Sequence, residues 1–96
     1  MRHDPLPTDA QKAQLADLIQ RSFVEIRSIA GNGRGEQAAN LADTMHNLPR
    51  EMHGWGTWNR KITRGALKDY QDQYHGQDYS PKFDYVAAFD AVFAEE

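Results

Sequence analysis

Cysteine is missing from the 96 residues of this chain. Its absence excludes a disulfide framework, thiolate metal ligands and a thiol nucleophile. No apolar run approaches the ~20 residues that a membrane-spanning helix needs. The residues that follow Met1 are polar, so we also expect no signal peptide. We therefore expect a cytoplasmic protein without a membrane partner.

The alternation of apolar and polar residues that is typical of a strand is also missing, and no segment repeats. Apolar residues instead recur at steps of three and four, the spacing of one helix face. With 40% apolar and 26% charged residues, the composition is that of a globular protein. We predict a single all-α domain over residues 1–96, with residues 1–7 as a loose lead-in. Its small bundle would have four helices, at about 8–30, 36–48, 58–75 and 81–94.

The first helix has a clear predicted start and end. Thr8 followed by Gln11 matches a capping box, and Gly31 suits the position after the last turn. The glycine-rich link from Gly31 to Gly35 follows a helix rather than a strand, and no Lys–Ser/Thr pair follows it. We therefore interpret it as a turn, not a phosphate loop. The predicted inward face comprises Leu15, Leu18, Ile19, Ser22, Phe23, Ile26, Ile29 and Ala30.

Proline, threonine and serine mark the remaining helix ends. Pro49 disfavours helical geometry at Leu48 and is predicted to end the second helix there. Thr57 is the predicted N-cap of the third helix, and Ser80-Pro81 the start of the fourth. The predicted apolar side of the third helix comprises Trp58, Ile62, Ala66 (or Gly65), Leu67, Tyr70 and Tyr74.

Two histidines and an aspartate suggest a metal site as an alternative. Asp43 and His46 are three residues apart on one helix, and His53 follows seven residues later. With His3 or His75 they could supply the ligands of a divalent metal. The spacing matches no established ligand pattern, and an Asp–His pair at this distance is more typical of a local hydrogen bond that orients the imidazole.

Catalytic residues are not evident. Ser22 and Ser28 lie on a helix that is predicted to be structural, and the carboxylates are expected to face solvent. No nucleophile lies beside a base, and no pair of carboxylates has contrasting environments. We therefore predict neither an enzyme nor a cofactor.

A basic stripe on the third helix suggests nucleic acid as another alternative. Its members are spaced for one helix face and lie near two tryptophans, a mixture that can contact phosphates and stack on bases. They are Arg60, Lys61, Arg64 and Lys68. The chain as a whole is acidic, with a pI near 5.7, which argues against a nucleic-acid footprint. Residues 69–96 hold seven acids and one lysine, so the stripe could pair with them within one chain or head to tail between two copies.

The run EQAANLADTMHNLP, residues 36–49, resembles a motif of small bacterial proteins of uncharacterised function. In those proteins a long amphipathic helix precedes the motif. Residues 15–30 of this chain, which include the run FVEIRSIA, are predicted to form such a helix. The resemblance implies a helical fold and a bacterial cytosolic origin. The resemblance also implies that Asp43, His46 and Asn47 have a role, but it assigns no activity to the protein.

We therefore predict a small soluble protein-binding module in an accessory, immunity-type or inhibitor role. A short bundle gains burial by pairing, so self-association as a homodimer is expected. The predicted partner surface joins the second helix, the connection and the third helix. It comprises His46, Asn47, Arg50, His53, Trp55, Trp58, Arg60 and Arg64. Tryptophans in small bundles commonly fill the core, but Trp55 lies between two glycines, where a large ring is hard to bury.

Overall fold

A computed structural model describes residues 4–76 and 83–94. These residues form four α-helices and contain no strand: α1 Asp9–Gly31, α2 Gly35–Met52, α3 Arg60–Tyr74 and α4 Tyr85–Val92. The predicted small all-α bundle is confirmed. Within the same two segments, no helix combines the length and the apolar character that crossing a bilayer requires.

The capping box predicted at the start of α1 is present. The Thr8 hydroxyl accepts a hydrogen bond from the Gln11 backbone N–H at 3.1 Å, and the Gln11 side chain accepts one from the Thr8 N–H at 2.9 Å. Both bonds satisfy amides that a helix start leaves without partners. At the other end, Gly33 has φ +78°, which lets the chain reverse tightly into α2.

The helices are arranged so that α1 and α3 lie diagonally across the bundle. Each of these two helices packs against α2 and α4, and in the described residues the backbones of α1 and α3 do not approach each other closely. One core fills the space between all four helices. Its fully buried side chains include Leu15, Leu41, Leu48, Trp58, Leu67, Tyr85 and Phe89. Trp58 packs against the rings of Phe89 and Phe93, at centroid distances of 6.4 and 6.2 Å.

The predicted end of α2 at Leu48 is wrong. The helix runs through Pro49 to Met52. Proline lacks an N–H and therefore leaves the Met45 carbonyl without its usual helical donor. Continuing the helix by one turn buries Met52 in the core, and this burial offsets the lost hydrogen bond.

The predicted starts of α3 and α4 also differ from the structure. Asn59, not Thr57, caps α3, and its side chain accepts from the Ile62 N–H at 3.0 Å. Asp84 caps α4 and accepts from the Ala87 N–H at 2.9 Å. The fourth helix therefore begins at Tyr85 and ends at Val92, within the predicted 81–94. Ser80-Pro81 lies outside the described residues.

Three residues of the predicted inward faces are exposed: Phe23, Ala30 and Ile62. Ile62 is 67% exposed and Phe23 51% exposed, whereas Thr63 is buried. Successive helical residues differ by about 100° around the axis, so rotating the buried face of α3 onto Thr63 places Ile62 outside. The buried side of α3 consists of Thr63, Leu67, Tyr70 and Tyr74.

Replacing Pro49 with alanine should stabilise the protein. Alanine supplies the missing N–H and removes the ring that crowds the preceding turn, although the unfolded chain regains entropy. We expect the free energy of unfolding to rise by roughly 1–2 kcal/mol, measured by urea denaturation. Gln20→Ala, at an exposed position of α1 outside the Trp55 surface, is the control and should change it by less than about 0.5 kcal/mol. A less stable Pro49→Ala variant would show that the proline is needed for the local geometry.

Candidate functional site

The turn after α2 holds Trp55 in solvent on a well-defined backbone. The Trp55 N–H donates to the Arg50 carbonyl at 2.8 Å, and the Gly54 N–H to the Glu51 carbonyl at 3.0 Å. Gly54 has φ +86°, a conformation that favours glycine. The Trp55 side chain is nevertheless 78% exposed. A large aromatic ring that is positioned but not buried is typical of a binding surface.

The two tryptophans have opposite environments. Trp58 is fully buried in the core, against Phe89 and Phe93, so it cannot contact a partner. Its inclusion in the predicted partner surface is therefore wrong. Trp55 lies three residues earlier, in a turn that no helix of the described segments covers, and it remains a candidate.

The remaining residues of the predicted surface separate into two groups. One group is exposed on the outer side of α2 and the following turn: His46, Asn47, Arg50 and His53. The other group faces α4. Arg60 lies with its guanidinium 4.6 Å from the Phe93 ring centroid, and Arg64 forms two hydrogen bonds to Asp90, at 2.8 and 3.0 Å. We name the first group, together with Trp55, the Trp55 surface.

The basic stripe is partly neutralised within the chain. Arg64 pairs with Asp90 of α4, and Lys68 pairs with Asp72 one turn along α3 at 2.6 Å. Hydrogen bonding to Asp90 raises the pKa of Arg64. Among the described residues, Arg64 and Lys68 therefore already have carboxylate partners, which reduces the positive charge that the stripe presents to a phosphate backbone.

The proposed metal ligands are not brought together. Among the residues that the structure describes, no three His, Asp or Glu side chains are placed to hold a metal ion. Asp43, His46 and His53 therefore do not form a site within one chain. His3 lies outside the described residues.

A groove of about 220 Å³ runs between α2 and α3. Its walls are formed by Asp43, Thr44, Asn47, Glu51, Ile62, Thr63 and Ala66. Burial raises the pKa of Glu51. The groove was not predicted, although Asp43, Asn47 and Glu51 recur every four residues in the sequence. It separates α3 from the exposed outer side of α2.

A buried polar cluster joins α1 to α3. The Glu25 side chain is only 4% exposed and accepts two hydrogen bonds at Oε2, from the Tyr70 hydroxyl at 2.5 Å and from His75 Nε2 at 2.9 Å. Gln37 of α2 donates to the Tyr70 oxygen at 3.1 Å. The Tyr85 hydroxyl is buried beside the same carboxylate. We call these five residues the Glu25 cluster.

The prediction that the carboxylates face solvent is therefore wrong at Glu25. The sequence contained a signal for its burial. Glu25 is three residues from buried Ser22 and four from buried Ile29, so it lies within the apolar stripe. Because its carboxylate is enclosed by side chains of the chain itself, a substrate would reach it only after the helices separate. The cluster has the properties of a structural hydrogen-bond network.

Removing the Glu25 carboxylate should destabilise the bundle. Glu25→Ala leaves the buried donors of Tyr70 and His75 without their acceptor, and we expect a loss of roughly 2–3 kcal/mol in the free energy of unfolding. Glu36→Ala, which removes an exposed glutamate at the start of α2, should cost less than about 1 kcal/mol. Chemical denaturation followed by circular dichroism measures both. Equal losses in the two variants would contradict a special role for the Glu25 cluster.

Stability should also fall in alkali. The pKa values of Tyr70 and Tyr85 are raised above the ordinary tyrosine value of 10.0. Burial is the largest cause, and the interaction with Glu25 raises both pKa values further. The contribution of these two tyrosines to the free energy of unfolding is complete below their unfolded-state pKa, near 10, and is lost as the pH rises above that value. Each should lower the free energy of unfolding by about 1.4 kcal/mol per pH unit in that range.

Absorbance at 295 nm, recorded together with helix content, tests this pH dependence. Tyr70 and Tyr85 should ionise only as the helices unfold, and a Tyr70→Phe variant should lose stability less steeply above pH 10. Complete ionisation of all four tyrosines with the helices intact would contradict the expectation.

Comparison with known proteins gives no family assignment: no protein-family model, no curated protein and no solved structure matches the chain. The resemblance of residues 36–49 to small bacterial proteins therefore stays a prediction.

Proposed function

We propose that this protein is a small binding module that docks on another protein through the Trp55 surface. The observation that carries the proposal is that Trp55 is 78% exposed while its backbone is fixed by a hydrogen bond to Arg50. Burying an exposed tryptophan gains about 25 cal/mol per Å² of apolar surface. A turn that is already ordered loses little entropy on binding.

The residues around Trp55 suit a protein partner. Tryptophan and arginine are among the residue types most enriched at positions that dominate binding energies, and the Arg50 carbonyl accepts the Trp55 N–H. His46, Asn47 and His53 add polar groups that can form the hydrogen-bonded rim of an interface. This composition supports the protein-binding proposal more than a nucleic-acid one, since Arg64 and Lys68 already pair with acids.

The proposed partner is a second copy of the chain. A chain of 96 residues buries a smaller share of its surface than a large domain, so pairing adds burial that the fold alone lacks. Most soluble oligomers are symmetric dimers in which the same surface of each copy is used. An outside protein, bound in an accessory, immunity-type or inhibitor role, is the alternative.

A photo-reactive amino acid such as benzoylphenylalanine at position 55 tests the proposal. It should form covalent adducts on irradiation of the purified protein or of an extract of the source cells. An adduct of twice the chain mass indicates self-association, and a different mass indicates an outside protein.

The matched control places the same group at Phe23, an exposed aromatic position on α1. It should give far less adduct, because α1 presents no part of the Trp55 surface. Equal adducts at both positions, or none at position 55, would contradict the proposal.

A further inference from the structure

We infer that two copies pair through the outer side of α2, with the two α2 helices antiparallel across a two-fold axis. The inference rests on the proposed function, and it specifies which surface of the second copy is bound. It starts from two exposed side chains of opposite charge, Asp43 and Arg50. They are seven residues apart on one continuous helix.

Seven residues make almost two helical turns, so Asp43 and Arg50 project from the same side of α2, about 10 Å apart along its axis. His46 and Asn47 lie midway between them. A two-fold axis through this midpoint places Asp43 of one copy opposite Arg50 of the other, and the reverse. The outer side of α2 is therefore complementary to itself in charge when the helices are antiparallel. Parallel helices in register would oppose like charges.

Both side chains are available for such pairs. Within the described residues, neither Asp43 nor Arg50 forms a side-chain hydrogen bond or ion pair. In contrast, Arg64 and Lys68 each pair with a carboxylate of the same chain. Charge pairs at an exposed rim mainly set orientation and discriminate against wrong arrangements, while buried apolar contacts supply most of the affinity. The pairs would therefore fix the register of the two helices.

Trp55 would supply the apolar contact. With the axis between residues 46 and 47, the turn that carries Trp55 lies opposite Ala39 of the other copy. Ala39 is exposed on the outer side of α2, and its single methyl group leaves room for an indole ring. Two symmetry-related tryptophans would then close the two ends of the interface.

Charge reversal tests this arrangement. In the Asp43→Arg variant, the new arginine of each copy would lie opposite Arg50 of the other copy, so two positive charges would repel. In the Arg50→Asp variant, the new aspartate would lie opposite Asp43, so two negative charges would repel. Either variant alone should raise the dimer dissociation constant at least about tenfold over the wild type. Both positions are exposed, so the variants should keep the helix content of the wild type.

Mixing provides the decisive measurement. The two variants in equal amounts should form a heterodimer, because each opposed pair then joins an arginine to an aspartate, and the double variant Asp43→Arg/Arg50→Asp should dimerise alone. Sedimentation equilibrium distinguishes the 10.9 kDa chain from its dimer, with Arg27→Asp on α1 as the charge-reversal control.

Three results would overturn the inference: a wild type that stays monomeric, single variants that dimerise as the wild type does, or a mixture without heterodimer. Adducts at position 55 combined with the second or third result would leave the proposed self-association standing and remove only the antiparallel α2 pairing. A monomeric wild type that still forms adducts of a different mass would leave docking through the Trp55 surface standing, with an outside protein as the partner.

Discussion

The buried carboxylate of Glu25 constrains the arrangement of the whole bundle. A carboxyl group taken out of water needs hydrogen-bond partners, and in this chain Tyr70 and His75 supply them from the far side of the core. Since the backbones of α1 and α3 do not approach each other closely, these side-chain hydrogen bonds help to fix the register between the two diagonal helices. A shift of α3 by one residue would turn Tyr70 away and leave the carboxylate without that donor.

The same constraint explains which side of α3 is buried. Apolar spacing alone allows a face that contains Ile62, because Ile62, Ala66 and Tyr70 also recur every four residues. The hydroxyl of Tyr70 must reach Glu25, and this requirement favours the rotation that buries Thr63 and exposes Ile62. A polar contact between distant segments thus decides a question that local hydrophobic spacing leaves open.

Several features that depend on neighbouring residues could be predicted from the sequence, as the capping box at Thr8 and the four helices show, although the cap of α3 at Asn59 was missed. Features that depend on tertiary packing could not. Pro49 is a strong local stop signal, yet burial of Met52 outweighs it. The burial of Trp58 and the exposure of Trp55 also depend on packing, since Trp58 is buried by tertiary contacts with Phe89 and Phe93. Glu25 is different, because its position in the apolar stripe was visible.

The extension of α2 beyond Pro49 links the fold to the proposed interface. If the helix ended at Leu48, Arg50 would lie in an irregular segment, with no fixed relation to Asp43. Because the helix continues to Met52, both charged residues share one helical side, and the Arg50 carbonyl is placed to accept the Trp55 N–H. The inner side of α2 thus stabilises the bundle, while the outer side gains a regular array of charge ending in an exposed indole. The two sides can vary independently, since Asp43 and Arg50 contribute no described contact to the core.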